Sequence, residues 1–202
     1  MKEISLHLLD IGENSIAAGA RCIEMIVDED VAGNRMRLCV QDDGRGMDRS
    51  TLGRVEDPFV TSRTTRVAGF GIPFLKEAAE ACNGILRVNS EAGVGTCVEA
   101  EFEWDHIDRM PLGDLASTWL TLVITQPHIR WLFHYRVNGK CFSFDSQPVR
   151  EMLGDIPLTE PSVLGFIRRT LQDGIQSVQQ EAAEPALAPV LSSAAPDGRS
   201  HI

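Results

Sequence analysis

The stretch DIGENSIAAGA, residues 10–20, sets an acid and an amide four positions apart at Asp10 and Asn14. Apolar residues before and within it recur at helical spacing, which predicts a helix to about Ala18 with Gly19 as its stop. Residues four apart share a helix face, so we expect both side chains to face one pocket. The Asn14 amide oxygen suits magnesium, and a carboxylate one turn earlier suits orienting or deprotonating a water. The alternative is a pair of polar residues on a solvated face.

A second polar stretch, DDGRGM at residues 42–47, directly follows an apolar strand. An acid at a strand end, here Asp42, can accept a hydrogen bond from an adenine amino group. Gly44 and Gly46 let the backbone approach a base without Cβ collisions, and Met47 completes the motif. The alternative is a plain Asp-Gly turn.

Two glycine pairs mark further candidate sites. Gly69 and Gly71 precede Ile72 at the start of a predicted helix, whose free N–H groups and positive dipole end suit a triphosphate. Gly95 and Thr96 precede a later strand, where the hydroxyl can reach a base or a bridging water and a hairpin glycine is the alternative. Neither G-x-G pair has the third glycine of a dinucleotide-binding loop, and the sequence has no G-x-x-x-x-G-K-[ST] phosphate loop.

The order and spacing of these four motifs resemble the GHKL superfamily of gyrase-type topoisomerases, heat-shock chaperone ATPases, mismatch-repair ATPases and histidine kinases. The family patterns are E-x-x-x-N on a helix, D-x-G-x-G after a strand, G-x-G-[LI] opening a helix and a late G-T. The resemblance covers about residues 4–104. It implies a Bergerat-type fold that binds ATP and Mg²⁺, with Asn14 holding the metal. Residues 57–63 resemble the histidine-kinase lid, which gives Arg63 the role of reaching the phosphates.

One position departs from the family pattern. The usual catalytic glutamate is Asp10 here, a side chain shorter by one methylene. A general base must lie within hydrogen-bond reach of its water, so this change slows hydrolysis or shifts the water. The sequence therefore predicts ATP binding and leaves turnover open.

The order helix, two strands, loop, helix, two strands predicts a two-layer α/β sandwich with a mixed sheet over residues 1–108. Residues 109–180 are predicted to form a small α+β module with a hairpin at Asn138-Gly139 and a helix over 161–179. Residues 181–202 are rich in Ala, Pro and Ser and are predicted to be a disordered tail. The aromatic residues of the hairpin are predicted to be core, with a partner surface as the alternative: Trp131, Phe133, Tyr135, Phe142 and Phe144.

The composition narrows the function classes. The chain has 202 residues and a formal charge of -10, which argues against general binding to nucleic acid or anionic membranes. Charges interrupt its start, so we expect no secretory signal, and no apolar run approaches the ~20 residues that span a bilayer. The five cysteines form no C-x-x-C pair and are predicted to be reduced core thiols. A cytoplasmic location fits these features.

Three hypotheses remain for the use of ATP. The first is a regulatory protein that relays its nucleotide state to a protein partner or acts as a homodimer. The second is a protein kinase of the histidine or anti-sigma serine type, and the third is a slow dimerising ATPase. His106 begins an H-x-x-x-x-P pattern that superficially resembles a phosphoacceptor box, but it follows the ATPase motifs and lacks the acidic neighbour. We interpret it as part of an interdomain connector.

Overall fold

The computed structural model describes residues 3–55 and 71–183. In chain order its elements are α1 (Ile4–Ala17), β1 (Cys22–Asp30), β2 (Arg35–Asp42), α2 (Arg49–Leu52), α3 (Gly71–Glu80), β3 (Ile85–Glu91), β4 (Gly95–Glu103), α4 (Leu115–Thr125), β5 (Arg130–Val137), β6 (Lys140–Asp145), α5 (Ser146–Leu153) and α6 (Pro161–Ala183).

These strands form one six-stranded sheet in the order β3-β4-β2-β1-β5-β6. Neighbouring strands are antiparallel except β1 and β5, which run parallel with Met25 opposite Phe133. The helices α1, α3 and α6 pack against the sheet, and α4 packs against α1 and α6. The predicted α/β class with a mixed sheet is confirmed. Among the described residues, every helix is too short or too polar to cross a bilayer.

The sheet has one buried face and one open face. Ile23, Met25 and Val27 of β1 are buried, whereas the alternate residues Glu24 and Asp28 are partly exposed. This alternation follows from the period of two in a strand, and it places the core between the sheet and the helices. The predicted core role of the hairpin aromatics is confirmed for four buried residues: Trp131, Phe133, Tyr135 and Phe144. Phe142 is half-buried and packs against the same core.

The C-terminal strands continue the sheet of the N-terminal part, because β5 pairs with β1. Whether residues 1–108 and 109–180 are separately stable units stays a prediction. The last helix continues through Ala183, beyond its predicted end at Gln179, because Ala182 packs against the core and Glu181 accepts a hydrogen bond from Ser177. The rest of the predicted tail, residues 184–202, lies outside the described part of the chain.

Two local features differ from the sequence-based expectations. The stretch after Gly46 contains the short helix α2, where the Asp48 side chain accepts a hydrogen bond from the Thr51 N–H at 2.7 Å. The prediction of core thiols is wrong for Cys141, which is exposed because it lies on the open face of the edge strand β6. Cys39 and Cys82 are buried.

A buried carboxylate on β1 connects this strand with β5 and α6. Glu29 of β1, only 7% exposed, accepts hydrogen bonds from the Tyr135 hydroxyl at 2.6 Å and from the Trp104 indole N–H at 2.8 Å. Gln179 of α6 donates to the same Tyr135 oxygen at 3.0 Å. Burial, together with the hydrogen bond to Glu29, raises the pKa of Tyr135, so the hydroxyl remains a donor. This network fixes β5 and α6 against β1.

We predict that Tyr135→Phe lowers the free energy of unfolding by about 1–3 kcal/mol, because Glu29 loses a donor that water cannot replace. Urea unfolding measures the change. Thr121→Val is the matched control, since the Thr121 hydroxyl bonds a carbonyl on an exposed helix face and its loss should cost little. Equal stabilities of Tyr135→Phe and the parent chain would contradict the role of this network.

His7 of α1 is a second buried polar residue. Its side chain is 2% exposed, and neither ring nitrogen has a hydrogen-bond partner among the described residues. Burial lowers its pKa from 6.5 to about 4. The folded chain therefore holds His7 neutral at pH values where the unfolded chain protonates it.

The sign of the pH effect follows from this lowered pKa. Stability contributed by neutral His7 is present above the unfolded pKa and is lost as the pH falls from about 6.5 toward 4. Between pH 7 and pH 5, we expect this group to reduce the free energy of unfolding by about 2 kcal/mol. Denaturant unfolding at both pH values should show that His7→Leu removes that part of the pH dependence. If His7→Leu loses as much stability between pH 7 and pH 5 as the parent chain does, His7 is not the source of this pH dependence.

Candidate functional site

The first and third motifs meet where α1 passes the start of α3. A Cβ placed on Gly71 would lie 2.9 Å from the Asp10 Cβ and 3.6 Å from the Asn14 amide nitrogen. Glycine at position 71 therefore permits the close approach of the two helices. The structure thus brings the acid and the amide of α1 beside the N-terminal end of α3.

Asp42 lies at the end of β2, where two groups hold its carboxylate. The Ser15 hydroxyl donates to Oδ2 at 2.6 Å, and the Gly44 N–H donates to Oδ1 at 2.9 Å. The carboxylate oxygens have further lone pairs, so Asp42 retains capacity to accept from a ligand. Ser15 is one residue beyond Asn14 on α1, so this bond connects the first motif to the second. Sequence reasoning missed Ser15, because a lone buried serine leaves no pattern.

The loop after Asp42 packs closely on the β3–β4 hairpin. Gly46 has a φ of +62°, and a Cβ there would overlap the carbonyl of Glu91. Gly95 has a φ of +144°, and a Cβ there would overlap the carbonyl of Asp42. Both positions therefore require glycine for its conformation and its lack of a side chain.

Ser90 links the same loop to the hairpin through its hydroxyl. The Met47 N–H donates to Ser90 Oγ at 2.8 Å, and Ser90 Oγ donates to the Gly95 carbonyl at 2.9 Å. Thr96 Oγ1 lies 2.9 Å from the same Ser90 oxygen. The second and fourth motifs are thus held together by a serine that sequence reasoning did not single out.

One cleft collects most of the predicted site residues, and six of them line it: Asn14, Asp42, Gly46, Met47, Ile72 and Thr96. Six further lining residues were missed from sequence: Ile11, Ser15, Ala18, Arg45, Val55 and Val98. Of these, Ile11 and Ala18 recur with Asn14 at helical spacing, and Arg45 lies inside the glycine motif, so these three had a signal. Asp10, Gly44 and Gly71 adjoin the lining residues, and Arg63 and Gly69 lie outside the described part of the chain.

Asp10, beside the cleft, has a raised pKa. Burial raises the pKa of this carboxyl, and the neighbouring Glu13 carboxylate raises it further. A carboxylate with a raised pKa is a stronger base than an ordinary aspartate. Glu13 lies three residues beyond Asp10 on α1, so the two carboxylates are neighbours on the helix surface and Glu13 acts on Asp10 through its charge.

In residues 3–55 and 71–183, no group of three or more His, Cys, Asp or Glu side chains could hold a metal ion. The amide of Asn14 in the cleft wall is an oxygen donor of the kind that magnesium accepts together with phosphate oxygens. The cleft can therefore offer a carboxylate acceptor at one end and an amide oxygen with a helix N-terminus at the other.

The chain is similar in sequence to known proteins. Residues 2–106 match the profile of the family described as histidine kinase-, DNA gyrase B-, and HSP90-like ATPase. Sensor protein kinase FleS of Pseudomonas aeruginosa is 38% identical over 90 residues, which cover 45% of this chain and 22% of that protein. A sensor protein of Shewanella frigidimarina is 32% identical over 79 residues, 39% of this chain and 12% of that protein.

The chain thus spans less than a quarter of the length of these relatives. Among solved structures, the Aquifex aeolicus MutL ATPase domain complexed with ADP aligns with a TM-score of 0.46 at 14% identity, over 84% of this chain and 88% of that one. The family match itself confirms the resemblance drawn from the motifs. Because residues 2–106 are more than half of the 202 residues, this chain belongs to the family of histidine kinase-, DNA gyrase B-, and HSP90-like ATPases.

Proposed function

We propose that this chain binds ATP with Mg²⁺ in the cleft and acts as a nucleotide-dependent regulatory protein of the cytoplasm. The observation that carries the proposal is that Asp42 and Asn14 line one cleft, although they come from a strand end and a helix far apart in sequence. The Asp42 carboxylate can then accept a hydrogen bond from the nucleobase of the same ligand whose phosphates and Mg²⁺ lie at Asn14.

The base end of the proposed site centres on Asp42. Its carboxylate would accept a hydrogen bond from the adenine amino group, while Ser15 and Gly44 hold it in place. A Cβ on Gly44 would lie 2.8 Å from the Ala18 Cβ, so glycine keeps the loop close to α1. Thr96 would reach the base directly or through a water.

The phosphate end centres on the start of α3. Its first N–H groups and positive dipole end would bind phosphate oxygens near Gly71 and Ile72. Mg²⁺ would be held by the Asn14 amide oxygen together with those oxygens, and it would neutralise phosphate charge. The roles of Arg63 and Gly69 on the phosphates stay predictions.

We propose that the nucleotide state is relayed to a protein partner or to a second copy of the chain. The similarity to proteins named as sensors supports a signalling role. Against a histidine-kinase role, His106 follows the ATPase motifs and lacks the acidic neighbour of a phosphoacceptor box. Its Nδ1 accepts a hydrogen bond from the Asp108 N–H at 3.2 Å, so one ring nitrogen is used within the connector.

Slow hydrolysis is the second candidate, because the raised pKa of Asp10 makes it a better base. The shorter aspartate side chain would limit its reach to the attacking water. Slow hydrolysis would leave the bound ATP intact for longer.

For binding, we predict that Asp42→Asn weakens ATP-Mg²⁺ affinity by at least about 100-fold, since the amide turns one acceptor into a donor. Titration calorimetry measures the affinity, and circular dichroism checks the fold. Asp155→Asn, a change at an exposed aspartate outside the cleft, should bind as the parent chain does. Parent-like affinity in Asp42→Asn would reject the proposed base site.

For turnover, we predict that Asp10→Glu increases steady-state phosphate release by about 10- to 100-fold, because the longer side chain restores reach to the water. Asp10→Asn should abolish release while the affinity for ATP changes little. If phosphate release is the same in all three proteins, Asp10 is not the base.

A further inference from the structure

The open face of the sheet carries a second cluster of reactive groups, away from the cleft. Glu24, His134 and Ser143 lie on the adjacent strands β1, β5 and β6. The register sets His134 directly opposite Ser143, and it sets Ile26 beside His134, so Glu24 is the next residue of β1 on the same face. Three neighbouring strands therefore place an acid, an imidazole and a hydroxyl side by side.

The distances join these side chains into one chain of hydrogen bonds. His134 Nε2 lies 3.1 Å from Glu24 Oε1, and His134 Nδ1 lies 2.7 Å from Ser143 Oγ. An ionised carboxylate only accepts, so Glu24 selects the ring tautomer that carries its proton on Nε2. Nδ1 is then the acceptor, and the Ser143 hydroxyl donates to it. Nucleophile, base and positioning carboxylate thus stand in the order that activates a serine.

We propose that Ser143 is an activated hydroxyl and a covalent modification site for small activated acyl donors. Ser143 is exposed on the edge strand β6, so a donor can approach it from solvent. In the acylation step, Ser143 Oγ bonds to the acyl carbon as its proton passes to His134 Nδ1. The bond from that carbon to the leaving oxygen then breaks, and His134 returns the proton to the leaving group. Glu24 stabilises the imidazolium between the two transfers.

The proposal separates Ser143 from its neighbour Cys141, another exposed nucleophile whose sulfur lies 3.5 Å from Ser143 Oγ. His134 bonds Ser143, and no hydrogen bond between His134 and Cys141 is among those of the described residues. The base, His134, therefore acts on the Ser143 hydroxyl rather than on the Cys141 thiol. Ser177 offers the matched comparison, since its hydroxyl bonds the carboxylate of Glu181 and has no imidazole.

The experiment treats the full chain with 4-nitrophenyl acetate, follows 4-nitrophenolate release, and locates the acetyl group by peptide mass spectrometry. We expect a burst of about one equivalent and acetyl on Ser143, retained in Cys141→Ser and Ser177→Ala and lost in Ser143→Ala. His134→Ala should slow labelling about 100-fold, and added imidazole should restore it. Circular dichroism confirms that each variant is folded.

Glu24 is tested as a positioning residue. Glu24→Gln keeps an acceptor for the Nε2 proton and should retain labelling within about 10-fold, whereas Glu24→Leu removes the acceptor and should lose more. Acetyl found mainly on Cys141 or Lys140, a burst unchanged by Ser143→Ala, or no burst at all would overturn the proposal. None of these results depends on nucleotide binding.

Discussion

The hydrogen bond from the Ser15 hydroxyl to the Asp42 carboxylate is the contact on which the rest of the site depends. It joins α1 to the end of β2, and the Gly44 N–H holds the other oxygen of the same carboxylate. A buried carboxylate is costly unless its oxygens are bonded, so these donors keep Asp42 in place without using all its lone pairs. The α1 helix that supplies Ser15 also supplies Asn14 to the cleft wall, and it places Asp10 beside the start of α3. One helix therefore connects the two ends of the cleft.

C-terminal elements pack against α1 and against its neighbour β1. α4 packs on α1, and a Cβ on Gly12 would lie 2.9 Å from Leu122 of α4 and 2.7 Å from Met25 of β1. β5 continues the sheet beside β1, and the Glu29–Tyr135–Gln179 network connects α6 to that junction. These contacts connect the C-terminal region to α1, which lines the cleft.

The sequence predicted the elements and most of the site because each motif carried its own local signal. Helical spacing placed Asp10 and Asn14 on one side of α1, and the glycines after β2 marked a loop of close backbone approach, where a Cβ on Gly46 would overlap the Glu91 carbonyl. The contacts of Ser15 and Ser90 could not be predicted, since a lone serine gives no period and its partner is set by tertiary packing. The parallel pairing of β5 with β1 was also hidden, because it depends on residues more than a hundred positions apart. The exposure of Cys141 follows from the same unpredicted edge position of β6.

The central claim is that both ends of the cleft close on one nucleotide. The most direct measurement is a nuclear magnetic resonance titration of the isotope-labelled chain with ATP and Mg²⁺. The account predicts saturable shifts of the Gly44 and Gly46 amides together with those of Gly71 and Ile72, all with one dissociation constant, while Gly139 and Gly165 stay unchanged. Absence of shifts at either end of the cleft, or different constants for the two ends, would contradict it.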